Sequence, residues 1–592
     1  MTAPSSRTTA WLIPAFLLLA TLAVYGRTAG FPFVFDDTMF IVSNPFVQSA
    51  SNIPRFFTEP VWSGIAIAQK NYYRPVFLLW VLTNYSVFGD LAGGWHTAAL
   101  LLHSMNVLLV YLLALRLSRE PLAAGAGAAL FALHPVQAES VSWICCTNDL
   151  LAAFFVLASL LAYLKACESS GGRSIAWWIV SLASYAAGAL SKEPAIALPV
   201  LIALHEWSGR PASRPDSEPA TLSPLRPGIA LIFYIAIGGA YFVLRWNALG
   251  SLLGNTVPVI GHRTELLTLP SMLVAYLGHL FWPVNLSPFY GATYHTGVTW
   301  PGVVFPALLL LVPAALIGWA AVRSAAARFS AAWALLFLAP ALHVAAFPRG
   351  ELVHDRFLYL PMAGVGLLAA VGFAAAARQT GGAQESPGPA RNTLFAAAAS
   401  MLVALALISW RQTGYWSSNY ELFRRGVVIA PENGIAAGNL GIEYMKAGDR
   451  ESASVLLRRA DALNPDIWEA DKQQGYAHFL AGRYKEAEQA LDVAIVIRPN
   501  DAFCHFLLGL TFLKTGRPAQ AVDEARRAVS LSPREAGMHY GLASILEATG
   551  DLAGAREEYR AELVLRPGHQ PSLDKLHELD QRLAAPAASS RR

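Results

Sequence analysis

Residues 500–533 read NDAFCHFLLGLTFLKTGRPAQAVDEARRAVSLSP. Two segments with helical apolar spacing flank the break at Gly516-Arg517-Pro518. Small residues stand at Gly509, Ala521 and Ala528, where two antiparallel helices must approach closely, and Pro533 ends the second helix because its ring cannot continue one. The pattern recurs. Pro431, Pro465, Pro499, Pro533 and Pro567 are each 34 residues apart. Gly441, Gly475 and Gly509 share one phase, with Ala543 fourth. Gly448, Gly482, Gly516 and Gly550 share the turn, and Ala453, Ala487, Ala521 and Ala555 the second helix. Ala460, Ala494 and Ala528 follow seven residues later, where the fourth unit has Glu562.

A helix–turn–helix period of this length is that of the tetratricopeptide repeat. Four full repeats run over about 434–567. A linker, 411–433, holds a half-repeat before them, and 568–592 reads as a capping helix with a disordered tail. Solenoids of this kind present a concave surface to a peptide or partner protein. His478, His505 and His539 fall on first helices of successive repeats, and read as groove-lining or packing residues rather than metal ligands.

Upstream of Trp410 the composition changes. The 592-residue chain is 55% apolar and only 14% charged, against about 25% charged in a soluble domain. The deficit is concentrated in residues 10–410. A spanning helix needs about 20 mostly apolar residues. Candidates are 10–26, 95–117, 121–134, 149–166, 174–191, 194–207, 228–246, 300–321, 329–347, 357–377 and 393–410, with 75–88 and 270–285 ambiguous. The expected fold class is therefore all-α: a polytopic membrane domain over 1–410 with about 11 spans, followed by the repeat solenoid. The first run lacks a convincing cleavage site and reads as a retained helix.

Arg116, Arg119, Lys165, Arg173, Arg210, Arg214, Arg226, Arg323, Arg328, Arg378 and Arg391 lie in links that share one side in this count. The positive-inside rule puts that side in the cytoplasm. The 27–94 segment, the 135–148 loop, the 247–299 loop and the repeats then lie outside. The net charge of +4 is small and dispersed, which argues against nucleic acid as a partner. Cys145, Cys146, Cys167 and Cys504 have no metal-ligand or disulfide-framework spacing.

Ionisable groups near membrane depth are costly and usually functional. Asp36 and Asp37 follow the aromatic run Phe31-Pro-Phe-Val-Phe just past the first span. Two neighbouring carboxylates raise one another's proton affinity, which suits a general base. Further polar motifs are Tyr72-Tyr73-Arg74-Pro75, His96 and His103 on one helix face with Asn106, His134-Pro135 through Glu139 to Trp143, Asp149, Ser191-Lys192-Glu193, and His354-Asp355-Arg356 through Tyr359 to Pro361. All fall on or near the external face in this topology.

The first-loop Asp36-Asp37, Tyr73-Arg74-Pro75, His134-Pro135 with Glu139 and Trp143, Ser191-Lys192-Glu193, Arg356-Phe-Leu-Tyr359-Leu-Pro361 and the repeat array, in that order, resemble the transmembrane and tetratricopeptide repeat-containing protein family. The resemblance covers nearly the whole chain. It implies a multi-span glycosyltransferase of the GT-C class, a polyprenyl-phosphate-linked sugar as donor, external repeats, and an acidic catalytic residue that maps onto Asp36 or Asp37. Where the family often has Arg, two residues before Asp149, this chain has Thr147.

The resemblance leads to an expected reaction. Asp36 or Asp37 takes the proton of an acceptor hydroxyl, probed best as protein Ser or Thr. Arg74, Lys192 and Arg356 hold the lipid phosphate. His134, Glu139, Asp149 and Tyr359 position substrate. No cofactor or metal ligand set is assigned. Clustered carboxylates are compatible with a divalent metal, but a lipid monophosphate donor does not require one. Partners are then the lipid-linked sugar, membrane lipid and an acceptor protein or peptide on the repeats. The Ala-rich composition and short loops point to a bacterial inner membrane. The alternatives are a non-enzymatic membrane scaffold and, with less support, a transporter of lipid-linked sugars.

Overall fold

The computed structural model describes residues 6–63, 72–207, 227–251, 260–347, 350–380, 389–464 and 466–584. Arg210, Arg214, Arg226, Pro465 and the tail beyond 584 lie outside the described residues. The described chain is helical, with no strand among the described residues. It forms two units, Met1–Ala430 and Pro431–Arg592.

Among the described residues of the first unit eight helices are long and apolar enough to cross a membrane: Trp11–Gly30, Ala92–Ser118, Ile144–Glu168, Gly228–Leu249, Trp300–Arg323, Ala325–Leu342, Asp355–Gln379 and Pro389–Trp416. The chain is an integral membrane protein. Three other apolar stretches form shorter or less apolar helices, Pro121–Leu133, Gly171–Ala189 and Leu198–Trp207. Pro121–Leu133 is an interior helix, and its Gly and Ala positions explain why. A Cβ on Gly127 would lie 2.3 Å from the Gly366 carbonyl oxygen, and one on Gly366 would lie 2.6 Å from that of Gly127. Small residues let two helices meet backbone to backbone where lipid supplies no hydrophobic drive.

The stretch 75–88 forms the helix Pro75–Phe88, and 270–281 lies within His262–Phe281. On the helix Ala92–Ser118, His103 and Asn106 share a face, and both engage the Tyr359 hydroxyl, at 2.8 and 3.0 Å. This buried network ties that helix to the start of Tyr359–Thr380 and fixes the depth of the preceding loop.

The second unit is a stack of helix pairs. Gly434–Lys446 pairs with Arg450–Leu463, Asp466–Leu480 with Tyr484–Ile497, Ala502–Lys514 with Pro518–Leu531, and Met538–Thr549 with Leu552–Leu565; Gln570–Ala584 follows. Gly448, Gly482, Gly516 and Gly550 have φ of +84°, +73°, +75° and +92°. This left-handed backbone reverses the chain and carries no penalty for glycine. A Cβ on Gly441 or Gly475 would press 2.7 Å from Leu457 or Leu491 of the paired helix.

Candidate active site

The chain leaves its first helix through the short turn Gly26–Gly30 and enters the aromatic run. Phe35 has φ +53°. A bulky side chain in this region costs of order 1–3 kcal/mol and persists only where its surroundings over-determine it. Its N–H donates to Asn419 Oδ1 at 2.8 Å, and its ring packs against Trp143, Phe289 and Phe423 at 5.4, 5.7 and 5.7 Å. The two aspartates that follow have different surroundings.

Asp37 is fully buried. Its carboxylate accepts from the backbone N–H of Val34 at 3.2 Å and of Cys145 at 2.9 Å. Burial nevertheless raises its pKa to about 6. Asp36 is half-buried, and among the described residues nothing hydrogen-bonds its carboxylate. Burial, then the neighbouring Asp37, push its pKa to about 7, against the pull of Arg356.

Arg356 begins the last third of the cluster. Its Nη1 donates to Glu139 Oε1 at 2.6 Å, and its backbone N–H donates to Glu139 Oε2 at 3.1 Å. The guanidinium lies 5.3 Å from the Trp143 ring and 5.2 Å from that of Phe357. Glu139 is supplied by the short buried helix Gln137–Ser142. Burial outweighs the Arg356 charge and raises its pKa to about 7.

Asp149, in the first turn of Thr147–Glu168, pairs with Lys192 Nζ at 2.5 Å, both side chains less than a tenth exposed. A carboxylate at a helix N-terminus is favoured by the helix dipole. Lys192 also lies 5.6 Å from the Phe357 ring. The next residue, Glu193, takes Arg74 at 3.1 and 2.7 Å and Arg245 at 3.1 Å. Burial acts to raise its pKa, but Arg74 and Arg245 hold it at about 2.

The structure thus brings Asp36, Asp37, Glu139, Asp149, Lys192 and Arg356 into one cluster, with Arg74 joined to it through Glu193. It does not bring His134 there. One ring nitrogen of His134 meets the Leu280 carbonyl at 3.0 Å and the other accepts from Val136 N–H at 3.3 Å, so the ring is spent on a turn. Tyr359 sits one layer beneath, its hydroxyl held by His103 and Asn106. Thr147 donates to the Ile144 carbonyl at 2.6 Å and only closes a turn.

Sequence reading passed over Arg245, which interrupts an apolar run and by that alone signals function. Asp355 falls in the His354-Asp355-Arg356 motif but receives no role from it; its Oδ1 accepts from the Tyr290 hydroxyl at 2.7 Å and lies 3.0 Å from His279 Nδ1. Glu351, in electrostatic reach of Asp36 and with its pKa raised by burial, had no sequence signal beyond its proximity to Arg356.

Comparison with known proteins matches residues 73–210 to the dolichyl-phosphate-mannose-protein mannosyltransferase model, and 439–502 and 506–569 to a tetratricopeptide repeat model. The first match includes Arg74, Glu139, Asp149 and Lys192. The chain is similar to the protein O-mannosyl-transferase TMTC4 of Mus musculus, 24% identical over 487 residues, covering 73% of this chain and 64% of that protein. It is 24% identical over 500 residues to TMTC4 of Homo sapiens, covering 75% and 66%, and 27% identical over 444 residues to the protein O-mannosyl-transferase F38B6.6 of Caenorhabditis elegans, covering 72% and 59%. The chain therefore spans about two thirds or less of the length of these relatives. Among solved structures it is similar to the first tetratricopeptide domain of the human RPAP3 protein, 21% identical with TM-score 0.20, covering 20% of this chain and 95% of that one. The resemblance drawn from the motifs is borne out: the chain is similar to curated proteins named protein O-mannosyl-transferases and matches both the mannosyltransferase and the tetratricopeptide repeat models.

Proposed function

We propose that this chain is a membrane glycosyltransferase that moves a hexose, mannose first among them, from a polyprenyl-phosphate donor to a protein Ser or Thr hydroxyl. The observation that carries the reading is the Asp36 carboxylate: half-buried, unbonded among the described residues, with a pKa near 7, and beside Arg356. A base with that proton affinity is matched to neutral pH. Asp36 takes the proton of the acceptor hydroxyl. The hydroxyl oxygen forms a bond to the anomeric carbon as the bond from that carbon to the phosphate oxygen breaks. The electron pair stays on the lipid phosphate, and configuration inverts. Asp37 holds the loop that presents Asp36.

Charge developing on the leaving phosphate needs fixed cations. Arg356 uses only Nη1 and its backbone N–H on Glu139, which leaves Nε and Nη2 without a hydrogen bond among the described residues. Lys192 and Arg74 supply further positive charge. Each of the three is paired with a buried or part-buried carboxylate that orients it, namely Glu139, Asp149 and Glu193. Glu139 and Asp149 are thus positioning residues. The repeats would select the acceptor protein. Loop charge supports a cluster and repeats on the extracytoplasmic side of a bacterial inner membrane.

The test uses membranes carrying the full chain and a polyprenyl-phosphate-linked hexose. Asp36→Asn should abolish transfer to a Ser/Thr-containing protein without lowering thermal stability. Undiminished transfer by Asp36→Asn would remove the base assignment and favour the scaffold reading.

A further inference from the structure

Three segments of the chain meet at Glu193. Val76 N–H donates to the Leu190 carbonyl at 3.1 Å, which lays the start of Pro75–Phe88 along the Ser191-Lys192-Glu193 turn. Tyr73 is buried against Tyr241 of the helix Pro227–Leu249, with ring centroids 6.1 Å apart, and Ala189 and Leu249 join the same apolar contact. Glu193 then takes Arg74 from the first segment at 2.7 Å and Arg245 from the third at 3.1 Å. Arg245 also donates to the Tyr241 hydroxyl, one helical turn back, at 3.4 Å.

Arg245 stands on the inward face of a membrane helix. Ala230, Tyr234, Tyr241 and Arg245 are buried, whereas Phe242, Val243 and Trp246 are exposed on the outer face. A charged side chain so placed is costly and is usually kept for function. The charges in contact do not balance. Among the described residues, the carboxylates in ion-pair contact with Arg74, Lys192 and Arg245 are Glu193 and Asp149, so three cations face two anions. The acidic residues outside the described segments are Asp216, Glu218 and Glu385. Asp216 and Glu218 precede Pro227, and Arg245 lies about 27 Å along the helix from that end. Glu385 follows Thr380, at the end of its helix away from Arg356. A buried cation in excess is expensive unless an anion completes the site. Arg74 spends Nε and Nη2 on Glu193, and its Nη1 has no hydrogen bond among the described residues. A phosphate between the two guanidinium groups would supply the missing negative charge, and the planar fork of arginine matches phosphate oxygens.

We infer that Arg245, together with Arg74 across Glu193, binds a lipid phosphate. In the proposed transfer that phosphate is the donor's, an assignment that rests on the transferase reading; the phosphate site itself does not. Glu193 orients both guanidinium groups, and Arg245 exchanges no proton and forms no covalent bond.

The experiment uses the full chain in phosphatidylcholine nanodiscs, to which polyprenyl phosphate or phosphatidylglycerol is added. The thermal unfolding midpoint is read for wild type, Arg245→Met and Arg245→Lys. A ligand that binds the folded chain raises the midpoint with its concentration. Polyprenyl phosphate should stabilise wild type, with the concentration for half the effect raised roughly tenfold or more in Arg245→Met. Arg245→Lys, which keeps the charge and loses the fork, should lie between them. Without added phosphate Arg245→Met should unfold no earlier than wild type, because it removes the surplus charge and keeps the Arg74–Glu193 pair. With polyprenyl-phosphate mannose, Arg245→Met should raise the donor KM by a similar factor and hold the peptide KM within about twofold. Equal stabilisation by phosphatidylglycerol would support the site and overturn its assignment to the donor. Variants that keep the wild-type response to both lipids would overturn the inference and leave Arg245 a strut of its helix. The expected midpoints in a chain that transfers no mannose would leave the phosphate site standing and remove the transferase reading.

Discussion

Asp37 accepts a hydrogen bond from the Cys145 backbone N–H at 2.9 Å, across 108 residues of chain. With the Val34 N–H at 3.2 Å, this makes Asp37 the clamp between the first loop and the turn before Thr147–Glu168. The adjacent Asp36 makes no such bond among the described residues. Asp37→Ala would leave two buried N–H groups unsatisfied, at about 1–3 kcal/mol each. Thermal unfolding in detergent should show that loss for Asp37→Ala and none for Asp36→Asn, the reverse of their ranking as bases.

The raised Asp36 pKa gives transfer a pH dependence. The base must be ionised, so activity should fall as pH drops through about 7. The same shift has a stability sign. The folded-state pKa of about 7 lies above the ordinary 3.8, so the folded state binds more protons between those values and stability falls as pH rises through that window. Asp36→Asn, which abolishes transfer, should flatten the stability dependence. An acid limb of transfer near pH 4 would contradict the assignment.

The Lys192–Asp149 pair separates structure from chemistry. Lys192→Met leaves Asp149 as an unpaired buried charge, which costs about 3–5 kcal/mol. The double variant Lys192→Met/Asp149→Leu should regain most of that stability because a buried ion pair is often no better than an apolar one. It should not regain transfer. Recovery of activity together with stability would remove Lys192 from the phosphate site.

Helix packing rests on the Gly127–Gly366 approach. Gly127→Ala places a methyl 2.3 Å from the Gly366 carbonyl oxygen and 2.8 Å from Ala370 Cβ. Overpacking of this kind costs about 1–3 kcal/mol. A lowered unfolding temperature is expected, with the Asp36 pH profile of the surviving enzyme unchanged.

In the repeat unit His505 Nδ1 meets Glu524 Oε2 at 2.6 Å and its Nε2 meets the Pro499 carbonyl at 2.9 Å. The same contacts recur one repeat later at His539, with Glu558 and Pro533. Both partners of His505 are acceptors, which favours its doubly protonated ring. Burial lowers the His505 pKa, but the Glu524 contact and the Pro499 carbonyl outweigh it and the net shift is upward. A raised folded-state pKa gives stability that is present below the unfolded value of 6.5 and is lost as pH rises through the folded one. Melting of the repeat transition should therefore shift down above neutral pH, and His505→Phe should remove the shift.

Periodicity and composition determined the architecture. The proline and glycine phases dictate helix pairs because only those residues end a helix or turn left-handed without strain, as the φ of +84° at Gly448 records. Long apolar runs dictate membrane helices because burial in lipid demands them. The motifs also marked most of the cluster, since a charged residue beside an apolar run is expensive wherever it lies. Sequence could not separate Asp36 from Asp37, which are chemically identical neighbours. It could not dismiss His134, remove Tyr359 to a second layer, find His279, or give Asp355 its partners. Each of those outcomes depends on which backbone amide or side chain arrives from more than a hundred residues away, or from a loop with no periodicity. Local chemistry fixes what a residue can do. Only the packing of distant segments decides which hydrogen bonds it has already spent.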